Sequence, residues 1–412
     1  MTERADIVIV GAGQGGAHTA ISLRQQKFAG SILLIGAEAY LPYERPALSK
    51  EYLAGDKTFD ALVLRPASYW EEKNVVVRLG ARVVSLDAAA HEVRLEDGSV
   101  VGYGTLVWAT GGSARRLGCA RHDLVGVHSV RDRADVDKMK GELETAHAVV
   151  IIGGGYIGLE AAAVLRKQGK QVTVLEAESR VLARVAGVAL SRFFEVEHRA
   201  HGVDLHLGAK VVALDEKDGR VCGVRLASGE SLHADLVIVG IGIDTAVEPL
   251  ARAGAVIDNG VVVDLRSKTS LPDVYAVGDC AAHPNVHASG RLVRLESIQN
   301  ANDQAMIVAK SIAGTLGAEE RYEAVPWFWS NQYDLRLQTI GLSYGHDDVV
   351  VRGAPASRSF SVVYLRGGRV IAVDCVNQTK DYIQGKALIA KGIVVDRAKL
   401  ASPDVTLKEL AV

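Results

Sequence analysis

The sequence predicts an α/β protein built on two copies of one strand–turn–helix–strand unit, with a third, α+β domain at the C-terminal end. Three observations carry this. Residues 7–16 read IVIVGAGQGG and residues 149–158 read VVIIGGGYIG, the same pattern repeated at an offset of 142 residues. Each copy runs into an Ala-containing helical stretch, then a second apolar strand (residues 31–35 and 171–175), then an acid, Glu38 or Glu176. From Pro326 the rhythm changes to alternating strands at residues 335–340, 360–365 and 370–376, followed by a helix over 379–391. A chain of 412 residues accommodates two to three domains at about 150 residues each.

The first strand of each copy is a short apolar run, as a parallel strand buried on both faces requires. The glycines that follow have separate tasks. Gly11 and Gly153 make the tight turn out of the strand, and Gly13 and Gly155 let a pyrophosphate approach the backbone. Gly16 and Gly158 let the helix pack closely on the strand. The helix N-terminus then offers unpaired N–H groups and a positive dipole to phosphates. An acid after the next strand accepts hydrogen bonds from a ribose diol, about 20 residues on. The spacings are 22 residues from Gly16 to Glu38 and 18 from Gly158 to Glu176. One such motif is weak; two in the same context imply two dinucleotides in one chain, a flavin and a nicotinamide.

Between and after these units, residues 106–112 (LVWATGG) and 236–242 (LVIVGIG) are apolar strands ending in glycine turns. Asp-Gly pairs at 97–98 and 218–219 mark a hairpin ahead of each. Each dinucleotide fold thus carries a β-rich insertion and a closing strand. Residues 298–313, after Glu296 and Ser297, read as a helix capped at its start.

Composition narrows the function. Hydrophobic residues at 48% and charged residues at 23% exclude a disordered or fibrous chain, and a net charge of -2 excludes a globally basic nucleic-acid binder. The four cysteines, Cys119, Cys222, Cys280 and Cys375, form no CxxC pair, which predicts reduced thiols in a cytoplasmic protein. Cys119 and His122 make a lone CxxH, too little for a metal site, and no metal is expected. No apolar run approaches the roughly 20 residues of a membrane span.

Residues 41–55 (LPYERPALSKEYLAG), 274–280 (VYAVGDC) and 326–330 (PWFWS) give the chain a resemblance to the FAD-dependent NADH:ferredoxin reductases that serve oxygenases, within the glutathione reductase fold. It covers essentially the whole chain. It implies two Rossmann-like dinucleotide-binding domains plus the α+β C-terminal domain: FAD on residues 1–113 and 243–322, NADH on 114–242, and the C-terminal domain over 323–412. One departure sorts the subfamilies. Disulfide reductases of this fold carry a redox cysteine near residues 40–50, and residues 41–50 contain none. Electrons then leave from the flavin itself rather than by thiol–disulfide exchange.

The resemblance implies these roles. Gly11, Gly13, Gly16, Glu38, Arg45, Thr110, Gly111, Arg131 and Asp279 hold FAD, with surface salt bridges the alternative for Arg45 and Arg131. Glu296, Ser297 and Ile298 open a helix toward the flavin's pyrimidine edge. Gly153, Gly155, Tyr156, Ile157, Gly158, Glu176, Arg180, Arg184 and Gly242 hold the nicotinamide dinucleotide. Glu176 favours NADH by repelling a 2′-phosphate, which Arg180 can instead tolerate. Lys50 and Glu160 meet beside the flavin's reactive nitrogen, where Lys50 stabilises developing negative charge and Glu160 holds Lys50. The alternative is a surface Lys50 and a solvated Glu160. Trp329 borders the flavin, while Trp327, Phe328 and Cys280 read as packed.

NADH would then reduce FAD, and electrons would pass singly to a 2Fe-2S ferredoxin feeding a haem-thiolate monooxygenase or ring-hydroxylating dioxygenase. From Arg321 onward twelve Lys and Arg face nine Asp and Glu, a net +3 that suits transient electrostatic docking of an acidic ferredoxin, with Lys310, Lys386 and Lys391 as candidates. Rubredoxin or another acceptor is one alternative. An NADH-sensing interaction protein resembling apoptosis-inducing factor is another, weakened by the charge balance and the lack of a transit peptide. A monomer with no nucleic-acid or membrane partner is expected.

Overall fold

The computed structural model describes residues 3–119 and 124–411, so His122 lies outside the described residues. Two compact units form: Met1–Glu44, Leu62–Ser113 and Asp244–Phe328 make the first; Arg45–Ala61, Ala114–Ile243 and Trp329–Val412 make the second. Residues 45–61 therefore group with the residues expected to bind NADH, and so do the C-terminal residues.

In the first unit, Glu3–Val10 lies between Ile32–Ile35 and Val100–Trp108, all parallel, with Ile7 opposite Ile32 and Val8 opposite Leu106. Val75–Arg78 extends one edge; Glu92–Leu95 and Val83–Asp87 extend the other, and Val274–Ala276 also pairs with Val100–Trp108. The apolar run explains the central position, because alternate residues fill two cores. Val8 and Val10 pack with Leu106 and Trp108, while Ile7 and Ile9 pack with Ala17, Ala20 and Ile21 of the helix Gln14–Gln25. The expected turn at Asp97-Gly98 joins Glu92–Leu95 to Val100–Trp108, with Gly98 at φ 86°. The late helix runs Ile298–Ile312, one residue short of expectation.

In the second unit a parallel sheet has the order Asp204–Leu207, Gln171–Glu176, Ala148–Ile152, Leu236–Val239, Val127–His128. The hairpin Val211–Lys217/Arg220–Leu226 turns at Asp218 and Gly219, both left-handed at φ 54° and 77°, as a two-residue turn matched to strand twist requires. The C-terminal sheet has the order Trp327–Gln332, Leu335–Gly341, Arg369–Val376, Ser359–Arg366, Asp348–Ala354. Its three inner strands are the three expected from periodicity; the two edge strands were not. The helix Thr379–Lys391 has its expected bounds and stops at Gly392 in the left-handed region, φ 59°. Buried Arg352 ties the chain end down, donating to Asp381 Oδ2 (3.0 Å) and to the carbonyls of Leu400, Ser402, Pro403 and Val405. Among the described residues no helix is long and apolar enough to cross a membrane.

Inside this sheet Asp374 accepts hydrogen bonds from Tyr364 (2.6 Å) and Thr339 (2.8 Å). Burial pushes its carboxyl up to about 6, against the pull of those two donors. A carboxyl harder to ionise folded than unfolded stabilises the fold below the unfolded value near 4, and that contribution disappears as pH rises past about 6. Raising the pH from 4 to 8 should therefore shift stability by about 3 kcal/mol in favour of Asp374→Asn relative to the parent. Urea midpoints of both proteins at the two pH values check this; parallel pH curves would refute it.

Candidate functional site

The first unit contains a cradle where two helices begin. Gly11 has φ 110°, and a Cβ there would sit 2.3 Å from the Ala109 carbonyl oxygen. A Cβ on Gly16 would sit 1.9 Å from the Gly11 carbonyl oxygen, so only glycine lets this helix meet its strand. Gly13 caps the helix without a side chain, and its first turn holds no acid, leaving its N–H groups and dipole for an anion. The helix Ile298–Ile312 packs alongside, capped by Ser297, whose hydroxyl accepts from the Asn300 N–H. Gln14 donates to Asn302 Oδ1 at 2.9 Å and so ties the two helix starts together. Two acceptors, Gln14 Oε1 and Asn300 Oδ1, are buried without a partner. Buried orphan acceptors are costly unless a ligand supplies donors, so the residues fit a nucleotide cofactor with phosphates and N–H or O–H groups.

The other residues expected to hold FAD fall into two groups. In the first unit, Thr110 donates to the Ala246 carbonyl (2.8 Å), and Gly111 (φ 63°) accepts from the Ala246 N–H. Glu38 accepts from the Tyr43 hydroxyl at 2.6 Å, a partner that orients it. Arg294 donates to the Asp279 carbonyl (3.0 Å) and pairs with Glu296 (2.7 Å). Cys280 is fully buried with its thiol pushed up to about 11 by burial, as a packing residue would be. Arg45 and Arg131 belong to the second unit, where Arg45 donates to the Arg131 carbonyl at 2.9 Å.

The second unit repeats the glycine logic. Gly153 has φ 114°, and a Cβ on Gly158 would lie 2.1 Å from its carbonyl oxygen. Gly155 has open space around its Cβ position, and it is the one expected to face a pyrophosphate. Tyr156 starts the helix; burial pushes its phenol up. Ile157 is exposed. Glu176 accepts from the N–H groups of Gly154 (2.7 Å) and Glu178 (2.9 Å), which aim its carboxylate at the glycine turn. Arg180 is committed elsewhere, donating to Ala186 O (2.7 Å), Ser191 Oγ (2.7 Å) and Ala183 O (2.8 Å). Arg184 and Arg115 both come within 4 Å of a Cβ position on Gly242. Arg115 was not anticipated; it follows the glycine turn at 111–112, with no pattern of its own in sequence.

Lys50 and Glu160 meet in this same unit at 2.7 Å, with side chains 12% and 2% exposed. Lys50 also donates to the Pro46 carbonyl (2.9 Å). The Glu160 carboxylate collects two more donors, the Ser49 and Ser330 hydroxyls, each at 2.6 Å. A solvated Glu160 is thus excluded: it is a buried carboxylate whose charge is met by three donors. Ser330 sits inside the motif of residues 326–330 but was passed over beside its tryptophans. Trp329 is half-buried, and so are Trp327 and Phe328, which sequence had placed in the core.

Gly158→Ala should destabilise the protein by about 3 kcal/mol in urea unfolding, because the helix must move off its strand. Gly155→Ala should cost no more than about 1 kcal/mol, yet weaken NADH binding at least tenfold in titration. Equal effects on stability and binding in both variants would contradict the division of labour between these glycines.

Comparison with known proteins agrees with this geometry. The family model described as pyridine nucleotide-disulphide oxidoreductase matches residues 5–305, and a reductase C-terminal model matches residues 327–411. A ferredoxin--NAD(P)(+) reductase of a Sphingomonas species is 59% identical over 391 residues, covering 94% of each chain. A rubredoxin-NAD(+) reductase of Pseudomonas putida is 39% identical over 374 residues, covering 91% of this chain and 96% of its own. The solved covalent putidaredoxin reductase–putidaredoxin complex contains a chain that superposes with a TM-score of 0.94 at 38% identity, over 99% of this chain and 98% of that one. The chain belongs to the pyridine nucleotide-disulphide oxidoreductase family, as an FAD- and NAD(P)H-dependent flavoprotein oxidoreductase.

Proposed function

We propose that this chain passes electrons from NADH, through FAD, to a 2Fe-2S ferredoxin that supplies an oxygenase. One observation carries the reading: residues 41–50 hold no cysteine, and they end in Lys50, locked to buried Glu160. The bound flavin supplies the chemistry, accepting a hydride and releasing electrons singly. Lys50 offers a fixed positive charge to the ring as it gains electrons, and Glu160, Ser49 and the Pro46 carbonyl keep that ammonium in one position. The glycine cradles bind the two dinucleotides in the three-part division expected from sequence, residues 1–113 with 243–322, 114–242 and 323–412. Glu176 selects NADH, and the engagement of Arg180 with three oxygens supports that selection.

The ferredoxin docks transiently on basic side chains near the C-terminal sheet, with the chain a monomer in the cytoplasm. Lys386 and Lys391 are exposed on the helix Thr379–Lys391, and Lys310, in the first unit, pairs with Glu320. Rubredoxin as acceptor is the second reading, favoured by the relative of that activity.

Anaerobic mixing with NADH should bleach a flavin band at ~450 nm, and a 2Fe-2S ferredoxin should restore it rapidly. Restoration by rubredoxin and by no ferredoxin would replace the main reading with the second. Lys50→Met should slow the bleaching by about a hundredfold while leaving the NADH dissociation constant within a few-fold. A parental rate in that variant would remove Lys50 from the mechanism.

A further inference from the structure

The Ser330 donor on Glu160 is the end of a longer chain, all of it inside the second unit. Gln332 Nε2 donates to Ser330 Oγ at 3.2 Å. Gln332 Oε1 meets His198 Nε2 at 2.8 Å, and His198 Nδ1 meets the Tyr333 hydroxyl at 3.1 Å. Glu160, Ser330, Gln332 and His198 are each at most 2% exposed. Three elements supply them: the helices Tyr156–Lys167 and Val188–Ala200 and the strand Trp327–Gln332.

One end fixes the direction of every bond. A carboxylate paired with an ammonium can only accept, so Ser330 spends its single proton on Glu160 and must accept from Gln332. The Gln332 amide nitrogen is thereby committed, leaving its oxygen toward His198. His198 must then carry its proton on Nε2, and its bare Nδ1 accepts from Tyr333. The last bond runs this way because the ring is neutral: burial pushes His198 down to about 4, so near neutral pH it carries a single proton, which the Gln332 oxygen places on Nε2. A primary amide in the middle does not relay protons, so the chain orients rather than conducts.

We infer that Ser330, Gln332 and His198 are positioning residues for the Glu160–Lys50 pair: hydrogen bonds running one way, from the Tyr333 hydroxyl to Glu160 Oε1, hold the carboxylate in the rotamer that places the Lys50 ammonium. Without the Ser330 donor, Oε1 loses its partner and the carboxylate can rotate about its last bond. The effect then falls on the step at which Lys50 acts, not on nucleotide binding. This inference rests on the electron-transfer role proposed above for Lys50.

The test uses the FAD-loaded enzyme under anaerobic single-turnover conditions with NADH. Ser330→Ala and Gln332→Met should each lower the limiting rate of flavin reduction by about tenfold, with the NADH dissociation constant within about twofold of parent. Ser330→Thr keeps the hydroxyl and should restore the rate. In a Glu160→Gln background, Ser330→Ala should change the rate by less than about twofold, because its target is gone. ¹⁵N NMR of histidine-labelled parental enzyme reads the chain with no substitution, and should show His198 neutral with its proton on Nε2. Parental rates in both variants, weakened NADH binding at an unchanged rate, or a proton on Nδ1 of His198 would each overturn the inference. Failure of NADH to bleach the parental flavin would instead overturn the proposed function, and the tautomer would still decide whether the chain exists.

Discussion

A close approach of backbone to backbone, repeated twice, underlies the rest of the structure. In the parallel core of both sheets the third glycine of the turn packs its α-carbon against the carbonyl of the first, with room for a Cβ only about 2 Å from that oxygen. This sets the angle at which the helix leaves the sheet. It also decides where the helix N-terminus points, and hence where phosphates are met by N–H groups. The apolar strand ends at residues 7–10 and 149–152 hold the turns by being buried on both faces. Packing and binding are therefore one constraint: the sheet cannot present the cradle without the contact that excludes every other residue.

The second organising demand is electrostatic. Burying the Glu160 carboxylate would be prohibitive without compensation, since an unpaired buried charge costs several kcal/mol. Compensation comes from Lys50 and Ser49 in the segment Arg45–Ala61 and from Ser330 in the C-terminal sheet. These contacts help explain why that segment groups with the second unit although its neighbours in sequence belong to the first. They also make a charge cluster without any thiol, so under the proposed function it would act on the flavin through its field rather than by covalent exchange.

Much of this was legible in the sequence because it is local. The glycine turns, the Asp-Gly hairpins and the helix at 379–391 are each set by a handful of adjacent residues. The edge strands Trp327–Gln332 and Asp348–Ala354 were missed for a physical reason. The first carries three consecutive half-buried aromatics, and the second an unbroken Val349-Val350-Val351 run, so neither alternates cleanly. Arg180 was read as a nucleotide contact, and in the structure it donates within its own loop and to the helix that follows. Its three acceptors, Ala183, Ala186 and Ser191, become neighbours only once the loop folds back. Ser330 and Gln332 carry no signal alone, since a serine acquires meaning only from the carboxylate it meets, 170 residues away in sequence.

The C-terminal sheet is bound into the nucleotide-binding half by polar contacts that a loosely attached module would lack. Tyr364, from an inner strand, accepts from the Gly187 N–H at 3.0 Å while donating to Asp374. Arg358 pairs with Glu197 at 3.1 Å, and Gln332 meets His198. Gly187 closes the loop that begins at Glu176 and caps the helix Val188–Ala200, so the sheet grips the segment that follows Glu176. Phe360 adds an edge-to-face contact with Phe193 on that helix, ring centroids 4.9 Å apart. Directional hydrogen bonds of this kind are made only near one geometry. The sheet that would receive an electron acceptor is therefore held in fixed register with the loop that would receive the donor nucleotide, and the Glu160 cluster lies on the chain of contacts that joins them.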